Sequence, residues 1–198
     1  GEACFRIQTG DTVFVTDPFD TNIGLTPPRG KTDIVLQTQT SLPLSYVPGR
    51  GGVFVEGPGE YEVRGVEITG FHVLSKAHEH ALQTVYRVKA EDVRLAFFGH
   101  ISEVPDAEIL ERLGEVDVLF IPAGGEPFLS QEKAVKLVRQ VGPKIVVASL
   151  FKIPRLVRKT ADVKDFLEEM DQKATPQEKL VLKKKDLPAS LQVVVLTV

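Results

Sequence analysis

A chain of 198 residues, 42% hydrophobic and 26% charged, carries enough apolar surface for one sizeable core and reads as a single domain over 1–198. Its formal net charge of −3 provides no bulk attraction to nucleic acid or to anionic membranes. No apolar run approaches the roughly 20 residues that a membrane helix needs, and the single cysteine, Cys4, excludes an internal disulfide. These features lead to the expectation of a cytoplasmic protein without a membrane partner. The chain opens at Gly1 inside a strand-like pattern, so a few preceding residues are expected to be missing.

In chain order, the first half reads as short strands at residues 4–7, 12–16, 34–37, 53–55, 61–63 and 66–69. Gly10-Asp11, Pro27-Pro28, residues 49–52, Gly57-Pro58-Gly59 and Arg64-Gly65 punctuate them, because Gly and Pro supply backbone angles that strands lack. A further pair follows at 82–88 and 93–98. The rhythm then changes to helical spacing. A short helix is expected over 106–113, ahead of an apolar strand at 116–121. Ala134, Leu137, Val138 and Val141 share one helical face after a Ser130 cap, and Gly142-Pro143 ends that helix before a strand at 145–148. Val163, Phe166, Leu167 and Met170 repeat the pattern after Thr160, and residues 193–198 form a last apolar strand. Strands first and β-α-β units afterwards imply two sheets packed face to face with helices outside, an α/β layered fold.

Several ordered segments resemble the metallo-β-lactamase superfamily, in particular its small branch similar to L-ascorbate-6-phosphate lactonase and related Zn-dependent hydrolases. They are the first strand with Gly1 to Ile7, Thr16-Asp17-Pro18-Phe19-Asp20, and the glycine-rich strand pair from Gly57 through Ile68. Val116-Asp117-Val118-Leu119 with Ile121-Pro122-Ala123-Gly124-Gly125, and Pro143 to Val146 with Lys152-Ile153-Pro154, complete the pattern. The resemblance covers nearly the whole chain and implies a four-layer αββα sandwich.

The family's chemistry rests on a His-x-His-x-Asp-His loop, whose imidazoles and carboxylate hold Zn²⁺ ions that acidify bound water. Here the chain reads Thr38-Gln39-Thr40-Ser41-Leu42-Pro43-Leu44. Gln39 and Ser41 stand where the first two histidines are expected, and Pro43 and Leu44 where the aspartate and third histidine belong. His100 replaces the later bridging carboxylate, Leu150 the late strand-end histidine, and Glu2 a histidine of the first strand. Only His72 keeps a family ligand type. Pro and Leu offer no lone pair, so the resemblance implies a degenerate site, no resident metal, and a binding or assembly module that forms a homo-oligomer or joins a protein partner.

Two alternatives remain open. His72, His100, Glu2 and Asp17 would form a rearranged Zn site for hydrolysis of a phosphorylated or lactone-like small molecule. The basic residues Lys152, Arg155, Arg158 and Lys159, with Lys183-Lys184-Lys185, would serve an RNA-binding module, although nearby acids offset them. Asp17 is expected to turn the chain before Pro18 rather than to orient another side chain. Ser41 and Ser149 lie outside any Gly-x-Ser-x-Gly context and are expected to be structural, as are His78 and His80 on a solvated loop and Cys4 as a small hydrophobe.

Overall fold

The computed structural model describes residues 2–41, 52–74 and 81–197. Two sheets carry the fold. β1 (Arg6–Thr9), β2 (Thr12–Thr16), β3 (Ile34–Gln37) and β5 (Val53–Glu56) form a four-stranded sheet in that order. The eight-stranded sheet contains β6 (Gly59–Val63), β7 (Val66–Val73), β8 (Ala81–Ala90) and β9 (Val93–Phe97), followed by β10 (Val118–Pro122), β11 (Ile145–Ser149) and β12 (Gln192–Val194). The short β4 (Gln39–Ser41) pairs with β8 and completes it.

Strand chemistry follows position. β2, β10 and β11 are buried along their whole length, as expected of strands covered on both faces. β9, β10, β11 and β12 run parallel, as do β2, β3 and β5, whereas β6 through β9 form an antiparallel meander.

Three helices connect the parallel strands. α2 (Gln131–Val141) begins at Ser130, whose hydroxyl accepts from the Lys133 N–H, and buries Ala134, Val135, Leu137 and Val138. Gly142 adopts φ 63° and returns its N–H to the Val138 carbonyl, which stops the helix. Each fully buried Val or Leu on this face contributes about 1.5–3 kcal/mol, and Leu137→Ala would cost about 2–5 kcal/mol. α1 (Ala107–Leu113) and α3 (Val163–Glu169) add Leu113 and Phe166 to the same cluster. Among the described residues, all three α-helices lie on the outer face of the eight-stranded sheet.

A second cluster fills the space between the sheets, with Phe5, Phe14, Ile34 and Leu36 facing Tyr86, Phe97 and Phe120. Phe97 stacks on Phe120 at 4.4 Å, and Phe5 tilts against Phe120 at 4.6 Å. Tyr86 crosses the gap: its hydroxyl lies 3.2 Å from the carbonyls of Gln37 and Gly57 and 3.4 Å from that of Val55. Gly70 makes room for that ring, since a Cβ there would come within 2.8 Å of it and 2.6 Å of the Gly57 carbonyl.

The α/β sandwich expected from the sequence is the architecture observed, with local corrections. β1 starts at Arg6 rather than at residue 4, and the polar β4 has no apolar alternation to announce it. α3 is capped by Asp162, which accepts from the Lys164 N–H, rather than by Thr160. β12 ends at Val194 because Gln177 then takes over the pairing, bridging to Leu196.

Candidate functional site

β2, β3, β9, β10 and β11 present their carboxyl ends at one end of the sandwich, where open α/β sheets place their ligands. Asp17 follows β2, Thr38 follows β3, and His100 follows β9; the three meet. Asp17 Oδ1 accepts from the Thr38 N–H and Oδ2 pairs with the Thr38 hydroxyl, both at 2.7 Å. On its other side Thr38 Oγ1 lies 2.9 Å from His100 Nδ1, and it also accepts the His100 N–H at 3.4 Å. Asp17 Oδ2 and His100 Nδ1 are 3.7 Å apart, with the hydroxyl as the link between them.

Gly99 permits this approach. Its φ is 42°, and a Cβ there would fall 2.0 Å from Thr38 Oγ1. Gln83, fully buried in β8, holds the next stretch by donating to the His100 carbonyl at 2.9 Å and accepting the Ser102 N–H at 3.4 Å.

Among the described residues no Lys or Arg side chain pairs with Asp17. Burial pushes its carboxyl up to about 7 against the hydrogen bonds from Thr38, and the charge of Glu2 adds to the rise. Burial likewise lowers the His100 imidazole to about 4, an effect that Glu2 opposes and Arg158 reinforces. About a fifth of the His100 side chain remains open (19%), but protein surrounds the ring elsewhere. The relay closes for either state of Asp17: an ionised carboxylate accepts the Thr38 proton while Nδ1–H donates to Thr38, and a protonated one donates to Thr38 while Nδ1 accepts.

A second layer flanks His100. Glu2, 8% exposed, pairs with Arg158, whose guanidinium lies 4.6 Å over the Phe128 ring. Phe128 in turn meets the His100 ring edge-on at 5.6 Å. Leu150, fully buried at φ 56°, packs with Phe128 and Ala3. Ser149 Oγ donates to the Ile121 carbonyl at 2.9 Å, which agrees with a structural role. The space bounded by Phe5, Phe97, Phe120 and Ser149 beneath the relay is too tight for a water molecule. Burial pushes the Cys4 thiol up to about 12, so it is held as an unreactive thiol.

The structure therefore gathers Glu2, Asp17 and His100, but not His72, which stands exposed on β7 opposite Thr84. Gln39 and Ser41 are fixed in β4 against Gln83 and Ala81. Leu42, Pro43, Leu44, His78 and His80 lie outside the described residues. The turn role expected for Asp17 is corrected: its carboxylate bonds a residue 21 positions away and, through it, orients His100. Sequence reasoning missed the roles of Thr38, Gln83, Phe128 and Arg158; the signal for Thr38 was its place directly before Gln39 and Ser41, where the resemblance expects histidines.

These residues do not suit zinc. Both Asp17 oxygens and His100 Nδ1 already hydrogen-bond Thr38, which leaves His100 Nε2 as the one uncommitted imidazole nitrogen of the relay; Glu2 is paired with Arg158, whose fixed guanidinium would repel a divalent ion beside it. Among the described residues no group of three or more His, Cys, Asp or Glu side chains converges as a metal site.

A family model described as a β-lactamase superfamily domain matches residues 1–149. A Thermotoga maritima protein, provisionally assigned as a Zn-dependent hydrolase of the metallo-β-lactamase superfamily, is 26% identical, with a TM-score of 0.78 over 99% of this chain and 95% of that one. Igni18, a metallo hydrolase from Ignicoccus hospitalis, shares the fold at 15% identity, with a TM-score of 0.65 over 98% of this chain and 91% of that one. No curated protein matches the chain.

Proposed function

Because the chain belongs to the metallo-β-lactamase superfamily, we propose that it is a metal-independent member whose former catalytic end serves a binding or assembly role instead of hydrolysis. The observation that carries this reading is the Asp17–Thr38–His100 relay, which engages both Asp17 oxygens and His100 Nδ1 in internal hydrogen bonds, while among the described residues no group of three or more His, Cys, Asp or Glu side chains converges as a metal site. Leu150 and the Glu2–Arg158 pair support it, since Leu150 packs with the Phe128 ring that meets His100, and the Arg158 cation lies over that same ring. One eight-stranded sheet runs from β4 to β12, which supports treating 1–198 as a single domain.

Elemental analysis of tag-free protein, purified without chelator, tests the reading. Zinc, iron and manganese are expected far below one ion per chain. One ion per chain that survives dialysis would overturn the reading and favour the Zn-dependent alternative, a hydrolase of a phosphorylated or lactone-like small molecule.

The partner in this proposal is a second copy of the chain or another protein, and residues 42–44, Leu-Pro-Leu in sequence, supply the apolar character such a contact uses. Leu44→Asp is expected to weaken self-association or partner capture. Unchanged sedimentation and pull-down behaviour would count against that surface.

A further inference from the structure

The opposite end of the eight-stranded sheet holds a second feature, unrelated to the relay. On the helix-covered face, beyond the end of α1, a cleft of about 210 Å³ is lined by Glu67, Thr69, Arg87, Lys89, Arg94 and Glu115, with Leu113 at its side. Its charges are arranged against the usual rules for a sheet. Lys89 and Arg94 stand directly opposite each other in the β8–β9 register, and Arg87 follows on the same face of β8. Like charges facing each other across an antiparallel pair repel, and such local violations concentrate where a sequence serves something besides stability.

Two of the three cations are answered internally. Lys89 pairs with Glu67 at 2.8 Å, and Arg94 pairs with Glu115 and with Asp117. Arg87 has no carboxylate among the described residues. Its guanidinium reaches only the Arg112 carbonyl at 3.3 Å and the Thr69 hydroxyl at 3.5 Å, both long for such bonds. The Thr69 hydroxyl proton also lacks an acceptor there, so a half-buried guanidinium fork and a hydroxyl donor face one small open space.

We propose that this cleft binds the oxyanion of a small molecule, a phosphate or carboxylate group seated on Arg87 and Thr69 with Lys89 beside it. Planar N–H forks suit such groups because two parallel hydrogen bonds form at once. The volume lies below the 300–1,000 Å³ range of drug-sized pockets, which restricts the ligand to a small metabolite or to the anionic head of a larger one. An anion here would also relieve the Lys89–Arg94 repulsion.

The test is an amide NMR titration of the full chain with inorganic phosphate and, separately, with malonate, each against sodium chloride of equal ionic strength. Saturable shifts confined to residues 67–69, 87–89 and 113–115 are expected. Arg87→Gln is expected to weaken binding by roughly tenfold, the worth of one charge-assisted contact. A response to phosphate alone identifies phosphorylated ligands, and a response to malonate alone identifies carboxylates. Shifts equal to those in chloride, or affinity unchanged in Arg87→Gln, would overturn the proposal. Should Arg87→Gln fail to fold, Thr69→Val and Lys89→Gln must each weaken binding for it to stand. Neither outcome depends on the metal content.

Discussion

Asp17 and Asp117 are buried almost equally, 5% and 3% exposed, at opposite ends of the sandwich. Asp17 follows a strand, faces no Lys or Arg among the described residues, and has its carboxyl raised to about 7 by burial. Asp117 precedes β10 and takes five hydrogen bonds, from the Arg94 backbone N–H, the Arg94 guanidinium and Lys184. Burial raises its carboxyl too, but the Arg94 and Lys184 bonds prevail and hold it below the usual carboxylate range. Depth therefore does not decide the state of a buried carboxylate; its partners do. One end of the fold is tied by charge, and the other by a nearly neutral chain of hydrogen bonds.

The largest expected effect separates the two halves of that chain. In the unfolded protein His100 titrates near 6.5 and Asp17 near 3.8; in the folded protein these values are about 4 and about 7. Between pH 4 and 6.5 each state thus carries one proton on the pair, on His100 when unfolded and on Asp17 when folded, so the two contributions to pH dependence offset. Removing either partner exposes the other. Asp17→Asn leaves a depressed histidine, whose stability is present above 6.5 and lost as pH falls towards 4. His100→Gln leaves a raised carboxyl, whose stability is present below 3.8 and lost as pH rises towards 7. Each slope is about 1.4 kcal/mol per pH unit, or about 3 kcal/mol over the window. Urea unfolding of the two variants across about pH 4.5–6.5, within that window, should give slopes of opposite sign; slopes of the same sign would refute the offset.

At the charged end the effects are smaller. Asp117→Asn is expected to cost about 2 kcal/mol, because Arg94 and Lys184 lose the shared negative charge and one of its two acceptor oxygens while keeping access to water. A urea midpoint equal to that of the parent protein would show that the pairing adds nothing. Lys184→Met should cost about 1 kcal/mol or less, since the lysine is 42% exposed and solvent screens its charge. Its effect should shrink further in high salt, which a midpoint series in sodium chloride measures.

Much of the fold was legible because apolar alternation and turn chemistry are local. Residues 12–16 and 34–37 were read with their true boundaries, and the Ser130 cap and Gly142 stop bracketed α2 correctly. At the site, what was legible is that Gln39, Ser41 and Leu150 stand where the resemblance expects histidines. The contacts that hold Asp17, Thr38 and His100 together were not. Thr38 joins residues 21 and 62 positions away, and Arg158 reaches Glu2 across 156 positions, so no local pattern encodes either contact. β4 stayed hidden for a related reason: Gln39, Thr40 and Ser41 form a strand because β8 offers an edge, not because their own side chains favour one.

Tyr86 provides the fold with its own spectroscopic gauge. The chain contains no tryptophan and three tyrosines, and the Tyr86 phenol is enclosed by carbonyls of the facing sheet, with burial lifting its ionisation far above the ordinary value of 10. Phenolate absorbance from this ring stays silent in alkali until the two layers part, so its appearance would time the opening of the sandwich without an introduced label.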